Sequence, residues 1–298
     1  MMTRMLSYYS PNTKPRLLMF AIWMGLGVVP GLRGAAPAAD LPAIPVSTGT
    51  STSHSMSQIG ENHPLLAVRT WANRTAARIE KEVPDYSAIL LKRESDEGTL
   101  GDPQRLLVKV RHQPFSVYVY FYDPSDRRGD EAIYVAGSND GNLLAHTTGI
   151  TGSLLGTLAL KPDGIVAMEG QRHPLTEVGI LNLCRRIAQA AEKGLEDAAC
   201  QVEMVPGQKV GDRNCRCIHV RNPDDRQRFL FSQWRVYVDD EWDLPIRFEA
   251  YDWPVEANTE PPLAEVYTYT RLKLNNGLTD MDFDVRNPRY GYAEGRKR

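Results

Sequence analysis

Apolar and polar positions alternate along most of the chain, and two stretches of helical period interrupt the alternation. Leu65, Val68, Ala72, Thr75, Ile79 and Val83 recur at helical spacing with Trp71 beside them, and Arg69, Arg74, Arg78 and Lys81 take the other side. Pro64 suits a first helical turn with Asn62 or His63 as its cap, and Pro84 ends the helix. A run of strands follows. Tyr86, Ala88 and Leu90 alternate with Ser87, Ile89 and Leu91. Leu106, Val108 and Val110 alternate with Leu107, Lys109 and Arg111. Over 115–122, Phe115, Val117, Val119 and Phe121 face one way, and Ser116, Tyr118, Tyr120 and Tyr122 the other. Strands over 131–136 and 142–147 flank Ser138-Asn139-Asp140-Gly141, a hairpin signal, and Thr157 to Leu160 adds a short strand.

A second helix enters through His173-Pro174-Leu175-Thr176-Glu177, with Thr176 as N-cap. Ile180, Leu183, Cys184, Ile187, Ala188 and Ala191 form its buried stripe, and Gly194 closes it. Strands resume over 201–205 and 214–220 around a turn near Pro206-Gly207-Gln208, then over 229–238, 246–251 and 264–274. The last residues, 288–298, read as a frayed basic tail with Arg289, Arg296, Lys297 and Arg298. Strands and helices are grouped rather than alternated, which disfavours a parallel sheet. The pattern predicts an α+β fold, a single large curved antiparallel sheet with helices packed on one face.

The first 38 residues read differently. Arg4, Lys14 and Arg16 precede an apolar run of 13 residues, Leu17 to Val29, and Ala36-Pro37-Ala38 supplies a small-residue cleavage site. The run is short of the ~20 residues that span a bilayer. It predicts a signal peptide over 1–38, with cleavage after Ala38, so that the working protein is periplasmic or secreted and keeps no membrane span. Residues 39–61, rich in Pro, Ser and Thr, predict a flexible spacer, and the globular domain covers 62–287. Cleavage removes Arg4, Lys14, Arg16 and Arg33 but no acid, which moves the net charge from −2 to −6. A chain so acidic carries no footprint for nucleic acid.

An exported chain meets an oxidising compartment, so Cys184, Cys200, Cys215 and Cys217 are disulfide candidates, with free buried thiols as the alternative. A hairpin turning between Gly207 and Gln208 places Cys200 opposite Cys215, and a slip of one residue brings Cys217 closer. Cys-x-Cys without a matching pair is poor zinc spacing, so no metal is expected. Nucleophile elbow, zincin, P-loop and dinucleotide motifs do not occur in the sequence. His112, His146 and His173 lack ligand spacing, and Glu249 with Asp252, or Asp239 to Glu241, lie where carboxylates are usually solvated. No catalytic residue and no cofactor is assigned.

Val108-Lys109-Val110-Arg111, Pro114-Phe115-Ser116-Val117-Tyr118, Glu131-Ala132-Ile133-Tyr134-Val135 and Arg172-His173-Pro174-Leu175-Thr176-Glu177-Val178-Gly179-Ile180 resemble a bacterial domain family of unknown function, numbered 1571. The similarity runs from about Asn62 to Val285, and that family has no established activity to carry over. More distantly, Val236-Tyr237-Val238-Asp239 followed by Leu244-Pro245-Ile246-Arg247-Phe248 resembles the periplasmic lipoprotein carriers. Their layout implies an unclosed half-barrel with helices on its concave side. It also implies a non-enzymatic envelope protein that holds a lipid or lipoprotein acyl chain.

The apolar strand face is where such a ligand would lie. Leu106, Val108, Val110, Val117, Val119 and Phe121 line the candidate cavity, and Leu154 and Leu155 belong to a glycine-punctuated segment over 147–158 suited to a lid. The alternative is plain core, with the same side chains packed against the helices. The protein is then a structural or protein-interaction module of the envelope. Alternation alone leaves both readings open, and oligomeric state has no signal in the sequence.

Overall fold

The computed structural model describes residues 63–96, 98–148, 156–256 and 259–292, all within one unit of the chain, Leu41–Arg298. The signal peptide, the spacer, the end of the basic tail and the lid residues Leu154 and Leu155 lie outside the described residues.

Helix α1 (Pro64–Glu82) leads into β1 (Asp85–Asp96), β2 (Thr99–Leu100), β3 (Gln104–His112), β4 (Phe115–Asp123), β5 (Glu131–Val135), β6 (Leu143–His146) and β7 (Thr157–Leu160). Helix α2 (Ile180–Gly194) follows, then β8 (Gln201–Val210), β9 (Arg213–Arg221), β10 (Gln233–Asp239), β11 (Pro245–Tyr251) and β12 (Leu263–Leu274). The strands form one 12-stranded sheet in the order β7-β6-β5-β4-β3-β1-β12-β11-β10-β9-β8, with β2 paired to β1. Neighbours along that order pair antiparallel. The chain meanders outward from β1 to one edge, crosses through α2 to the other, and returns until β12 pairs β1. The sheet is therefore an unclosed half-barrel, with both helices on its concave side.

The helix stripes read from the sequence are the buried ones. Leu65, Val68, Ala72, Thr75 and Ile79 of α1 and Ile180, Leu183, Cys184, Ile187, Ala188 and Ala191 of α2 are buried in the main core. Gly194 lets the helices approach, since a Cβ there would stand 2.2 Å from Leu65 Cδ1. His63 caps α1: its Nδ1 accepts from Leu65 N at 3.2 Å and its Nε2 donates to Asp197 O at 2.8 Å.

The start of α2 departs from expectation. Leu175–Glu177 is a separate 3-10 turn, and α2 begins three residues later, after Gly179 at φ 122°. Two buried phenols take the capping role assigned to Thr176. Ile180 N donates to Tyr86 Oη at 2.9 Å and Gly179 N to Tyr269 Oη at 3.2 Å. A Cβ on Gly179 would stand 2.9 Å from Tyr86 Oη, in a backbone region L-residues avoid. Gly179→Ala is expected to lower the free energy of unfolding by about 2 kcal/mol, read by urea denaturation.

Two further corrections concern the edges of the sequence reading. Strands β8 and β9 pair through Val210 and Arg213, so the hairpin turns at Gly211-Asp212, and Pro206-Gly207 forms a bulge between Val205 and Gln208. Cys215 then faces Gln208, Cys217 faces Val205, and Cys200 Sγ lies 3.7 Å from Asn222 Oδ1. All four cysteines are free buried thiols, and none is in a disulfide. Burial pushes the thiols of Cys184, Cys215 and Cys217 up to about 12. The expected frayed tail is, as far as Tyr292, seated on the outer face of the sheet. Tyr290 and Tyr292 are buried there with Tyr118, Ile133 and Phe283.

Candidate functional site

The two helices fill only part of the half-barrel. On the β3–β7 side, a cavity of about 480 Å3 opens between the sheet and the segment that leads from β7 to α2, in the range of sites that take small ligands. Its floor follows the register across the strands. Val108 pairs Val119, Val119 pairs Ala132, Ala132 pairs Ala145, and Ala145 pairs Leu158. Val119, Ala132, Ala145 and Leu158 line the cavity, as do Leu106 and Phe121. The two alanines at the middle of the row leave the space that larger inward side chains would occupy.

The roof is the stretch from Val166 to Gly179. It is pinned on one side: Arg172 N donates to Glu94 Oε2 at 3.1 Å, and Arg172 Nη1 donates to Ser95 O at 3.2 Å. At its other margin, Ile165 and Val166 are 81% and 64% exposed, and Val166 also lines the cavity. That margin is an apolar lip beside the opening.

A polar wall closes the pinned side. On β1 the inward row Tyr86, Ala88, Leu90 continues into Lys92 and Glu94. Lys92 is 9% exposed, and its Nζ donates to Glu94 Oε2 at 3.1 Å and to Gln171 Oε1. Glu94 also accepts from Tyr267 Oη. Behind it, Glu265 is 0% exposed and faces Arg172 Nε at 3.2 Å, His173 Nε2 at 2.8 Å and Arg186 Nη2 at 3.5 Å. Burial pushes the Lys92 ammonium below its ordinary value, and Glu94 counters this in part. For Glu265 burial would raise the carboxyl, but His173, Arg186 and Arg172 hold it below the ordinary range. Burial and the charges of Glu265 and Glu94 raise the Tyr267 phenol well above its usual value.

Of the six strand residues read as candidate lining, Leu106, Val119 and Phe121 face the cavity. Val108, Val110 and Val117 are fully buried core. The apolar face is thus both things at once, filled where the helices reach and open where they do not. His146 and His173 line the cavity, while His112 is held elsewhere, its Nδ1 2.6 Å from Val83 O. Among the described residues, no group of three or more His, Cys, Asp and Glu side chains is placed to hold a metal ion. No helix among them is long and apolar enough to cross a membrane. Lys92, Glu94, Gln171 and the alanines were not singled out from the sequence. For Lys92, Glu94 and the alanines the signal was present: charges, and then small residues, at inward strand positions among larger apolar ones, whereas Gln171 lies on the roof segment and gave none.

Comparison with known proteins adds the family. The sequence profile of DUF1571, described as a protein of unknown function, matches residues 83–292. No curated protein matches the chain. Among solved structures, lipoprotein LppX of Mycobacterium tuberculosis aligns at 14% identity over 74% of this chain and 99% of its own, with a TM-score of 0.41. A putative outer membrane lipoprotein-sorting protein domain from Vibrio parahaemolyticus aligns at 11% identity over 74% and 97%, with a TM-score of 0.35. A LolA superfamily protein from Nitrosomonas europaea aligns at 12% identity over 73% and 97%, with a TM-score of 0.31.

Proposed function

The chain belongs to the DUF1571 family, and we propose that it is an exported, non-enzymatic envelope protein that holds the acyl chain of a lipid or lipoprotein. One observation carries the reading. The half-barrel keeps a cavity of about 480 Å3 floored by Leu106, Val119, Phe121, Ala132, Ala145 and Leu158, instead of filling that space with side chains. Each methylene buried there contributes ~0.8 kcal/mol, so ten of them contribute about 8 kcal/mol before ordering costs. The apolar lip at Ile165 and Val166 supplies an entry for a chain coming from a membrane or a partner. Glu265 is paired with Arg172, His173 and Arg186, and Glu94 with Lys92 and Tyr267, a wall built of ion pairs that supports holding rather than chemistry. Export is supported by the leader ending at Ala36-Pro37-Ala38, and thiols as deeply buried as Cys184 suit an oxidising destination without a disulfide.

The test is mass spectrometry of organic extracts from natively purified protein, together with uptake of a fluorescent fatty acid. A lipid in the extract and saturable uptake are expected. An empty extract with no uptake sinks the reading. Ala132→Phe with Ala145→Phe is expected to weaken uptake by about tenfold or more while leaving the unfolding midpoint unchanged or raised, because the rings grow into vacant space rather than into packed core. Uptake by the doubly substituted protein equal to that of the wild type would place the ligand elsewhere.

A further inference from the structure

Resting on the cavity as an acyl-chain site, we infer that its ligand carries a free carboxylate at one end, and that Lys92 receives it. Lys92 stands at the boundary of two environments, one position beyond Leu90 on the inward face of β1 and on the cavity wall. A lysine so placed is expensive to bury unless its charge is met. It is met incompletely. An ammonium has three N–H donors, and two are used, by Glu94 and Gln171. Glu94 divides its charge among the Lys92 ammonium, the Tyr267 hydroxyl and the Arg172 amide. The remaining donor has the cavity beside it.

The lining carries both signs, with Asp130, Glu131, Glu169 and Glu177 as well as Glu94 among the acids, and two further cations beside Lys92. Arg127 lines the same cavity with its guanidinium 3.9 Å above the Phe121 ring, and its Asp130 partner is 3.4 Å away. Arg186 lines it too, already engaged by Glu265. Gln171 and Glu94 hold the Lys92 side chain in place, so an arriving carboxylate meets a donor already oriented. It gains a charge-assisted hydrogen bond, where an ester carbonyl gains a neutral acceptor's share. The depressed ammonium of Lys92 agrees, since a second carboxylate restores what burial takes away. The chain of such a ligand runs from Lys92 across Leu106, Phe121 and the alanine row, which orders the ligand head inward at the wall and tail along the floor.

The experiment compares a pyrene-labelled long-chain fatty acid with its methyl ester on wild type, Lys92→Met and Lys92→Arg. Wild type is expected to bind the acid about tenfold more tightly than the ester. Lys92→Met should lose that preference, the acid falling to the affinity of the ester, and Lys92→Arg should keep it in part. Equal binding of acid and ester by wild type, or a preference that survives Lys92→Met, overturns the assignment of the head while leaving the acyl-chain site standing. Failure of wild type to bind either probe overturns the site itself. Should Lys92→Met not fold, Lys92→Arg decides, since a preference equal to that of wild type overturns the assignment to Lys92. A fatty acid labelled at its carboxyl carbon should show, by NMR, a bound carboxyl that stays ionised at lower pH than the free one. Titration at or above the free value overturns the proposal.

Discussion

Deleting residues 288–298 is expected to lower the free energy of unfolding by about 5 kcal/mol, although that segment reads as a basic tail. The reason is what it covers. Tyr290 stacks on Tyr118 with ring centroids 4.0 Å apart and planes 7° apart. Its hydroxyl donates to Asp282 O at 2.8 Å and accepts from Lys109 Nζ at 3.1 Å. Tyr292 Oη donates to Leu144 O at 2.7 Å, and Gly291 N donates to Glu131 Oε2 at 3.0 Å. Truncation strips Tyr118 and Ile133 of their cover and takes the Gly291 and Tyr292 amides from the buried Glu131 carboxylate, leaving it the Tyr118 hydroxyl. A buried aromatic removed from a core costs ~3–5 kcal/mol, and two in one cluster cost less than the sum. Urea denaturation of truncated and full chains measures the difference. Arg289→Ala, on an exposed side chain of the same segment, should shift the midpoint by under about 0.5 kcal/mol. A truncated protein within about 1 kcal/mol of the full chain would mean that the tyrosines only rest on the sheet.

The same tail shows where a local reading stops. Tyr290 and Tyr292 sit among arginines, glycine and proline, and nothing within that segment says that a row of tyrosines on β4 awaits them. Strand and helix existence was legible because period is a local property, and the buried stripes of both helices emerge as read. Strand ends were less so. Pro206-Gly207 and Gly211-Asp212 are both competent turns, and only the pairing of Gln201 with Arg221 decides that the second is used. The phenols that replace Thr176 as cap come from β1 and β12, distant in sequence and adjacent only through the sheet. The cavity was half legible for a similar reason. Parity sorts Val108 and Val119 onto one face, but where the helices stop is a tertiary fact. Lys92 and Glu94 interrupt an inward row visible in the sequence, and such an interruption is the best local sign of a built site.

Glu265→Gln is expected to cost about 3–5 kcal/mol and to loosen the roof. The carboxylate is fully buried, and three cationic or protonatable groups converge on it, from Arg172 and His173 on the roof segment and Arg186 on α2. Glutamine keeps the shape and removes the buried charge that Arg172 and Arg186 share. The pH dependence separates this from a packing defect. His173 and the arginines hold the folded carboxyl below its ordinary value, so the folded pKa lies under the unfolded value of ~4.3. Its stabilisation is complete above that value and is lost as pH falls through the folded pKa. The gap between wild type and Glu265→Gln should therefore be widest near neutrality and narrow steadily below about pH 4. A gap that stays constant into acid, or one under about 1 kcal/mol at neutrality, would show that the charge is already satisfied elsewhere. Because Arg172 and His173 are also the residues that pin the roof beside Lys92, the substitution should release a bound fluorescent fatty acid faster as well. Stopped-flow displacement reads that rate. A stability loss without faster release would confine the role of Glu265 to folding.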